Sequence, residues 1–332
     1  MTIWTEQLDA RRKTGMRELP VTWAEAAKST DTWPPSWGKT PAHLPLMNTC
    51  MNVDCKTSWL RLWRRRNIPR FEGQWACSAD CMRVLIEQAV ERELGDAAPL
   101  EPRTHKHRIP LGLLMLSQGW ITQEQLRRAL DAQREAGGKV RIGTWLMRQC
   151  NLSEEQVTRA LSMQWGCPVL SLSGHQPETV STLIPRLLLD TYSMVPLRSG
   201  SSRLAYLAFE DRPDPSVALA VERMSGIHIE AGVVTASQFL RVQERMLRAP
   251  FPKARLLEGK IPSTVATEMA AIIERLRPHQ AKLVRMHGYF WMRVWHHPVA
   301  ATSPVNPYMG SLSLVPRVHQ VEDVLIRFRP EE

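Results

Sequence analysis

The chain has 332 residues, 43% of them hydrophobic, which allows two or three compact domains and excludes a wholly disordered polypeptide. Its formal net charge of +10 favours anionic partners such as nucleotides, nucleic acid or a lipid surface, and its six cysteines are too few for a disulfide scaffold, leaving metal ligation as the use for clustered pairs. No apolar run reaches the roughly 18 residues of a spanning helix and the first residues are polar, so a cytoplasmic protein without membrane insertion is expected.

Residues 1–45 mix Trp4, Trp23, Trp33 and Trp37 with Pro34, Pro35, Pro41 and Pro45 and hold no sustained period, which predicts a largely disordered arm. Gly38-Lys39-Thr40 imitates the tail of a phosphate loop. Trp33 stands where the first Gly of that loop belongs, however, and Pro41 falls where a helix should start, so no nucleotide site is expected there.

Residues 46–95 carry two cysteine pairs, Cys50 with Cys55 and Cys77 with Cys81, spaced to bring four thiolates around one tetrahedral structural zinc. The second pair opens a helix through Met82, Leu85, Ile86, Ala89 and Val90, whose amide dipoles favour thiolates at its start. This arrangement resembles treble-clef zinc fingers. A module of this size has little core of its own and is expected to unfold without metal. Between the pairs, residues 59–66 interleave Trp59 and Trp63 with Arg61, Arg64, Arg65 and Arg66, which suits nucleic acid or equally a solvated basic face.

An internal repeat follows at 108–164. The first copy reads Pro110-Leu111-Gly112, Met115, Gly119-Trp120-Ile121, Leu126, Ala129-Leu130 and Gln133; the second reads Arg141-Ile142-Gly143, Leu146, Cys150-Asn151-Leu152, Val157, Ala160-Leu161 and Gln164. Each predicts a short helix after the Gly, a turn, and a second helix opened by a capping box, Thr122 with Gln125 and Ser153 with Gln156. The doubled Gly-started hairpin with a closing Gln resembles the N-terminal domain of type II secretion and type IV pilus ATPases, some of which bind cyclic di-GMP.

That resemblance implies a ligand site made of Arg108, Leu111, Gly112, Leu126, Leu130 and Gln133 with Arg141, Ile142, Gly143, Leu146, Val157, Leu161 and Gln164. Apolar faces would stack on guanines, and Arg, Gln and backbone groups would hold phosphates and base edges. Pro110 departs from the family's Arg, Cys150-Asn151 from its Gly and apolar residue, and the spacer from Gln133 to Arg141 is about two residues longer. A retained receptor and a scaffold emptied of its ligand, with the apolar stripe as plain helix-pair core, both fit.

Residues 165–248 continue the resemblance as a small α/β unit, with a strand at 166–172, a helix at 179–190, strands at 192–197 and 203–208, a helix at 215–225, a strand at 228–233 and a helix at 237–247. Residues 250–332 predict a further small sensor-like α/β piece with a helix at 261–276 and strands at 281–286, 289–295 and 321–328, and no motor domain follows. His296 and His297 lack a second ligand pair and read as surface histidines. The fold class expected is therefore α+β: zinc module, tandem-repeat domain over 105–248, and C-terminal piece.

No phosphate loop, nucleophile elbow or open metal site is visible, which predicts a non-enzymatic protein with a structural zinc. The resemblance implies a regulatory or adaptor role in which the central domain either senses cyclic di-GMP or docks onto secretion or pilus machinery. The competing expectation is a zinc-containing regulator that binds nucleic acid through residues 59–66.

Overall fold

The structure, a computed structural model, describes residues 50–55, 69–95, 108–174, 176, 180–198, 204–296 and 316–329. The expected arm at 1–45 and the aromatic and basic run at 59–66 lie outside the described residues. Within them the fold is α+β.

A minimal hairpin of β1 (Arg70–Phe71) and β2 (Gln74–Trp75) leads into α1 (Ala79–Gly95). The tandem motif supplies α2 (Leu111–Ser117), α3 (Gln123–Glu135), α4 (Ile142–Cys150) and α5 (Glu154–Trp165). Both predicted capping boxes form, so each second helix starts with its orphan amides satisfied.

The next unit consists of α6 (Arg186–Thr191), β3 (Met194–Arg198), β4 (Leu204–Phe209), α7 (Pro215–Ser225), β5 (His228–Val233) and α8 (Ala236–Leu247). Its sheet runs β3-β4-β5, antiparallel then parallel. Two expectations are corrected here. The strand predicted at 166–172 reduces to one bridge between Val169 and Val233, because Gly166 takes the left-handed conformation that closes α5. The helix predicted over 179–190 starts only at Arg186: Pro185, which lacks an N–H and disfavours helix in the residue before it, is its N-cap.

The remaining chain forms β6 (Lys253–Gly259), α9 (Pro262–Leu276), β7 (Gln280–Met286), β8 (Tyr289–Trp295) and β9 (Val321–Phe328). The second sheet has the order β2-β1-β7-β8-β9-β6, with β1 parallel to β7. Central strand β8 is buried at every position, as a strand covered on both faces should be. Phe290, Met292 and Val294 face a core shared with α1 and α9, while Trp291 and Trp295 face a core shared with α6 and α7.

The cysteine module, expected to have little core of its own, and the C-terminal piece, expected to stand apart, share one core. Cys81, Met82, Leu85, Ile86, Ala89 and Val90 of α1 pack in one cluster with Val265, Met269 and Ile273 of α9. The hydrophobic stripe that the sequence displays on α1 is therefore covered by a helix from the other end of the chain.

Polar groups mark the junctions. Glu93, at the end of α1 with its side chain 1% exposed, accepts Arg92 at 3.2 Å, the Arg223 guanidinium of α7, and the Arg285 backbone N–H of β7 at 2.9 Å. On β8, buried Arg293 pairs with Asp323 at 2.7 Å and donates to the Leu183 carbonyl at 3.1 Å. Trp291 donates its indole N–H to the same carboxylate at 2.8 Å.

Candidate functional site

The cysteines are brought together as expected. The Sγ atoms of Cys50, Cys55, Cys77 and Cys81 all lie within 4.8 Å of one another, against the ~3.8 Å that ligand sulfurs would span around a tetrahedral zinc with bonds near 2.3 Å. Two lie on the 50–55 segment, one follows β2 and one sits in the first turn of α1. The Cys77 backbone N–H donates to Cys50 Sγ at 3.4 Å and the Asn52 amide to Cys81 Sγ at 3.3 Å, donors of the kind that stabilise thiolates. Burial pushes the Cys50 thiol above its usual value, against the Cys77 and Asn52 backbone N–H groups. Four protein ligands close such a site, so it is suited to holding a metal for structure and leaves no position for a substrate.

The tandem motif folds as two interlocked copies. Gly112 lies against Leu126, where a Cβ would come within 2.4 Å of Cδ1; Gly143 lies against Val157, where a Cβ would come within 3.1 Å of Cγ1. The glycine that opens each copy is thus what lets that copy's two helices close. Leu126, Leu146, Val157 and Leu161 are buried in a single cluster, with Leu111, Leu130 and Ile142 half-buried against it. Of the implied ligand face, Leu146 is wholly enclosed as helix-pair core and Leu126, Val157 and Leu161 keep less than a tenth of their surface, while Leu111, Leu130 and Ile142 keep more.

The closing glutamines are reciprocal. Gln133 of the first copy donates to the Val140 carbonyl, just before the second copy's Arg141, at 2.7 Å; Gln164 of the second donates to the Ile109 carbonyl, just before the first copy's Pro110, at 2.9 Å. Each copy therefore pins the start of the other. The longer spacer serves this closure: Gly137 and Gly138 both take positive φ, ending α3 in a tight turn in which the Gly138 N–H returns to the Gln133 carbonyl at 2.9 Å. Asn151, at φ 53, supplies the left-handed cap of α4 in the copy without the family's Gly.

The cations are treated unequally. Arg141, the N-cap of α4, is 61% exposed and held by Glu210 at 3.3 Å and Asp211 at 3.4 Å, both from the loop after β4. Arg108 lies over Trp165 at the end of α5, its Cζ 3.4 Å from the ring centroid, and Arg212, from the loop after β4, approaches that ring at 5.5 Å. Desolvation first, and the Arg212 charge second, pull the Arg108 guanidinium below its usual value. Sequence reasoning missed Trp165, Glu210, Asp211 and Arg212; the only signal was a dense run of charge directly after a strand. His296 is half-buried beside Glu322 at 4.0 Å, and His297 lies outside the described residues.

Among the described residues no helix is long and apolar enough to cross a membrane. No protein-family model matches the chain. Over 156 residues, 46% of the chain, it is 28% identical to the type IV pilus assembly ATPase PilB of Myxococcus xanthus, covering 26% of that protein. PilB of Thermus thermophilus is 29% identical over 136 residues, 39% of this chain and 15% of its own length. The bacteriophage adsorption protein B of Escherichia coli K12 is 30% identical over 176 residues, 52% of this chain and 23% of its own length. The chain thus spans about a quarter or less of each of these relatives. A solved structure of MshE with cyclic di-GMP is 27% identical, with a TM-score of 0.32 over 42% of this chain and 99% of that chain. A segment of this protein is therefore related to part of the type IV pilus assembly ATPases, as the tandem motif led one to expect.

Proposed function

We propose that this protein is a non-catalytic regulatory adaptor related to the pilus ATPases, whose tandem motif receives a dinucleotide of the cyclic di-GMP class and whose four cysteines hold a structural zinc. The observation that carries the reading is the reciprocal closure: Gln133 and Gln164 each fix the start of the other copy, and Leu111, Leu130 and Ile142 stay half-buried against the shared core. Their remaining apolar surface suits planar bases, and Arg108 and Arg141 suit the phosphates. Binding at Arg141 has to displace Glu210 and Asp211, so the ligand also loosens the contact between the helical motif and the α/β unit. A two-position change of this kind is what a sensor needs.

Zinc, when bound, would supply folding free energy on the order of 10 kcal/mol, and the cysteine segment would transmit it to the shared core through α1. The adaptor docks through secretion or pilus components rather than turning over a substrate. Calorimetric titration with cyclic di-GMP tests the ligand: saturable heat from the parent that is weakened in Arg141→Ala is expected, and no heat from the parent refutes it. Metal analysis yielding about one zinc per chain, and ATP hydrolysis at background, test the other two parts.

A further inference from the structure

The loop after β4 treats the two copies of the motif in opposite ways. To the second copy, which has its arginine, it brings the carboxylates of Glu210 and Asp211. To the first, where Pro110 stands in the arginine's place, it brings the guanidinium of Arg212, beside Arg108 and against the ring of Trp165. Among the described residues neither Arg108 nor Arg212 has a carboxylate within ion-pair distance.

We infer that Arg108, Trp165 and Arg212 form an anion clamp that takes a phosphoryl group of a nucleotide, and that the first phosphate is bound at this end of the motif, ahead of any at Arg141. Two like charges do not collect on one indole at no cost. Cation–π attraction to Trp165 holds each guanidinium, while their mutual repulsion and the partial desolvation of Arg108 stay uncompensated until an anion arrives. The indole N–H of Trp165 is itself buried without a partner.

A guanidinium held over a ring by its Cζ leaves N–H groups at its edge to grip phosphate oxygens in pairs. The side-chain amide of Gln164, the residue before Trp165, donates at 2.9 Å to the carbonyl of Ile109, the residue after Arg108, so the two side chains project from neighbouring segments already joined. At Arg141 the requirement is already met by Glu210 and Asp211, and a phosphate there gains only the difference between two anions. The clamp therefore outcompetes Arg141 for the first phosphate. This sharpens the ligand reading above by placing the phosphate, and the two readings fail separately.

The full chain, labelled with 5-fluorotryptophan, is titrated with sodium pyrophosphate and separately with cyclic di-GMP while the Trp165 fluorine resonance, assigned by its loss in Trp165→Phe, is followed. We expect a saturable shift with pyrophosphate, weakened by about tenfold or more in Arg212→Gln and by less in Arg212→Lys, which keeps the charge and loses the planar fork. Arg212 is exposed, so both variants should keep the parent's thermal midpoint. A shift with pyrophosphate but not with cyclic di-GMP leaves the clamp standing and removes the dinucleotide reading. Calorimetric binding of cyclic di-GMP with no movement of Trp165 does the reverse. An unmoved resonance with both anions, or parent-like affinity in Arg212→Gln, overturns the clamp.

Discussion

Replacing Glu93 with Gln keeps the shape of the side chain and removes one charge from the place where α1, α7 and β7 meet. Breaking a buried ion pair by neutralising one partner costs roughly 3–5 kcal/mol when the other charge stays buried. Here the partners that lose the charge are Arg223, 19% exposed, and Arg92, 40% exposed, which keeps Glu72 at 2.9 Å. The Arg285 N–H at 2.9 Å keeps an oxygen acceptor in the amide. The cost therefore falls to about 2–3 kcal/mol, a drop of up to about 1 M in the urea midpoint for a chain of this size. Urea denaturation followed by tryptophan fluorescence measures it, with Arg223→Gln and the double variant closing a cycle in which the double loses clearly less than the sum. A parent-like midpoint in Glu93→Gln, or a cycle that adds up, refutes the idea that this carboxylate holds the three elements together.

Lys282 offers a pH test of the same junction: burial, opposed by Glu72 and Glu93, holds its ammonium below the usual 10.5. The folded chain then gives up this proton before the unfolded chain does, so this group adds stability as pH climbs toward 10.5, and in Glu93→Gln that gain should begin at lower pH. Stripping metal with a chelator should abolish amide-exchange protection in β1, β2 and the first turns of α1 while α2 to α5 stay protected; equal loss in both regions contradicts the placement of the cluster. Gly112→Ala should lose up to about 2 kcal/mol, an overpacking cost of roughly 1–3 kcal/mol against Leu126 less the ~1 kcal/mol of helix preference gained, while Gly143→Ala, with more room beside Val157, should stay near neutral in the same melts. At Asp214, burial pushes the carboxyl up, but the His287 ring at 2.7 Å and the Ser216 and Val217 backbone N–H groups outweigh it and hold it below 3.8. Its contribution is complete above 3.8 and fades as pH falls below; His287→Phe should shallow the acid limb of a melting-temperature profile.

Most of the α/β unit was legible because its signals are local. Asp214 and Pro215 announce the start of α7, Gly226 its end, and the run from Tyr289 to Trp295, apolar but for Arg293, announces a strand covered on both faces. Strand β6 was missed because Lys253, Arg255 and Glu258 give an edge strand no apolar alternation to read. The hairpin of β1 and β2 escaped notice because two-residue strands exist only through their partner β7. At the candidate site, the repeat, the glycines and the four cysteines could be read directly. The burial of Leu126 and Val157 could not, because a stripe at helical spacing looks the same whether it meets a ligand or a neighbouring helix. What Arg108 and Arg141 each face depends on a loop that arrives from after β4, and no spacing rule connects them.

The parallel pairing of Arg70 with Gln280 has a consequence for how the chain is made. The ribosome releases the cysteine hairpin long before the strand it must lie beside, so its apolar helix waits uncovered while the two helical hairpins, built from near neighbours, can fold at once. A metal ion bound early would keep that waiting segment compact. Chains made without such an ion would then be expected to aggregate more than chains made with it.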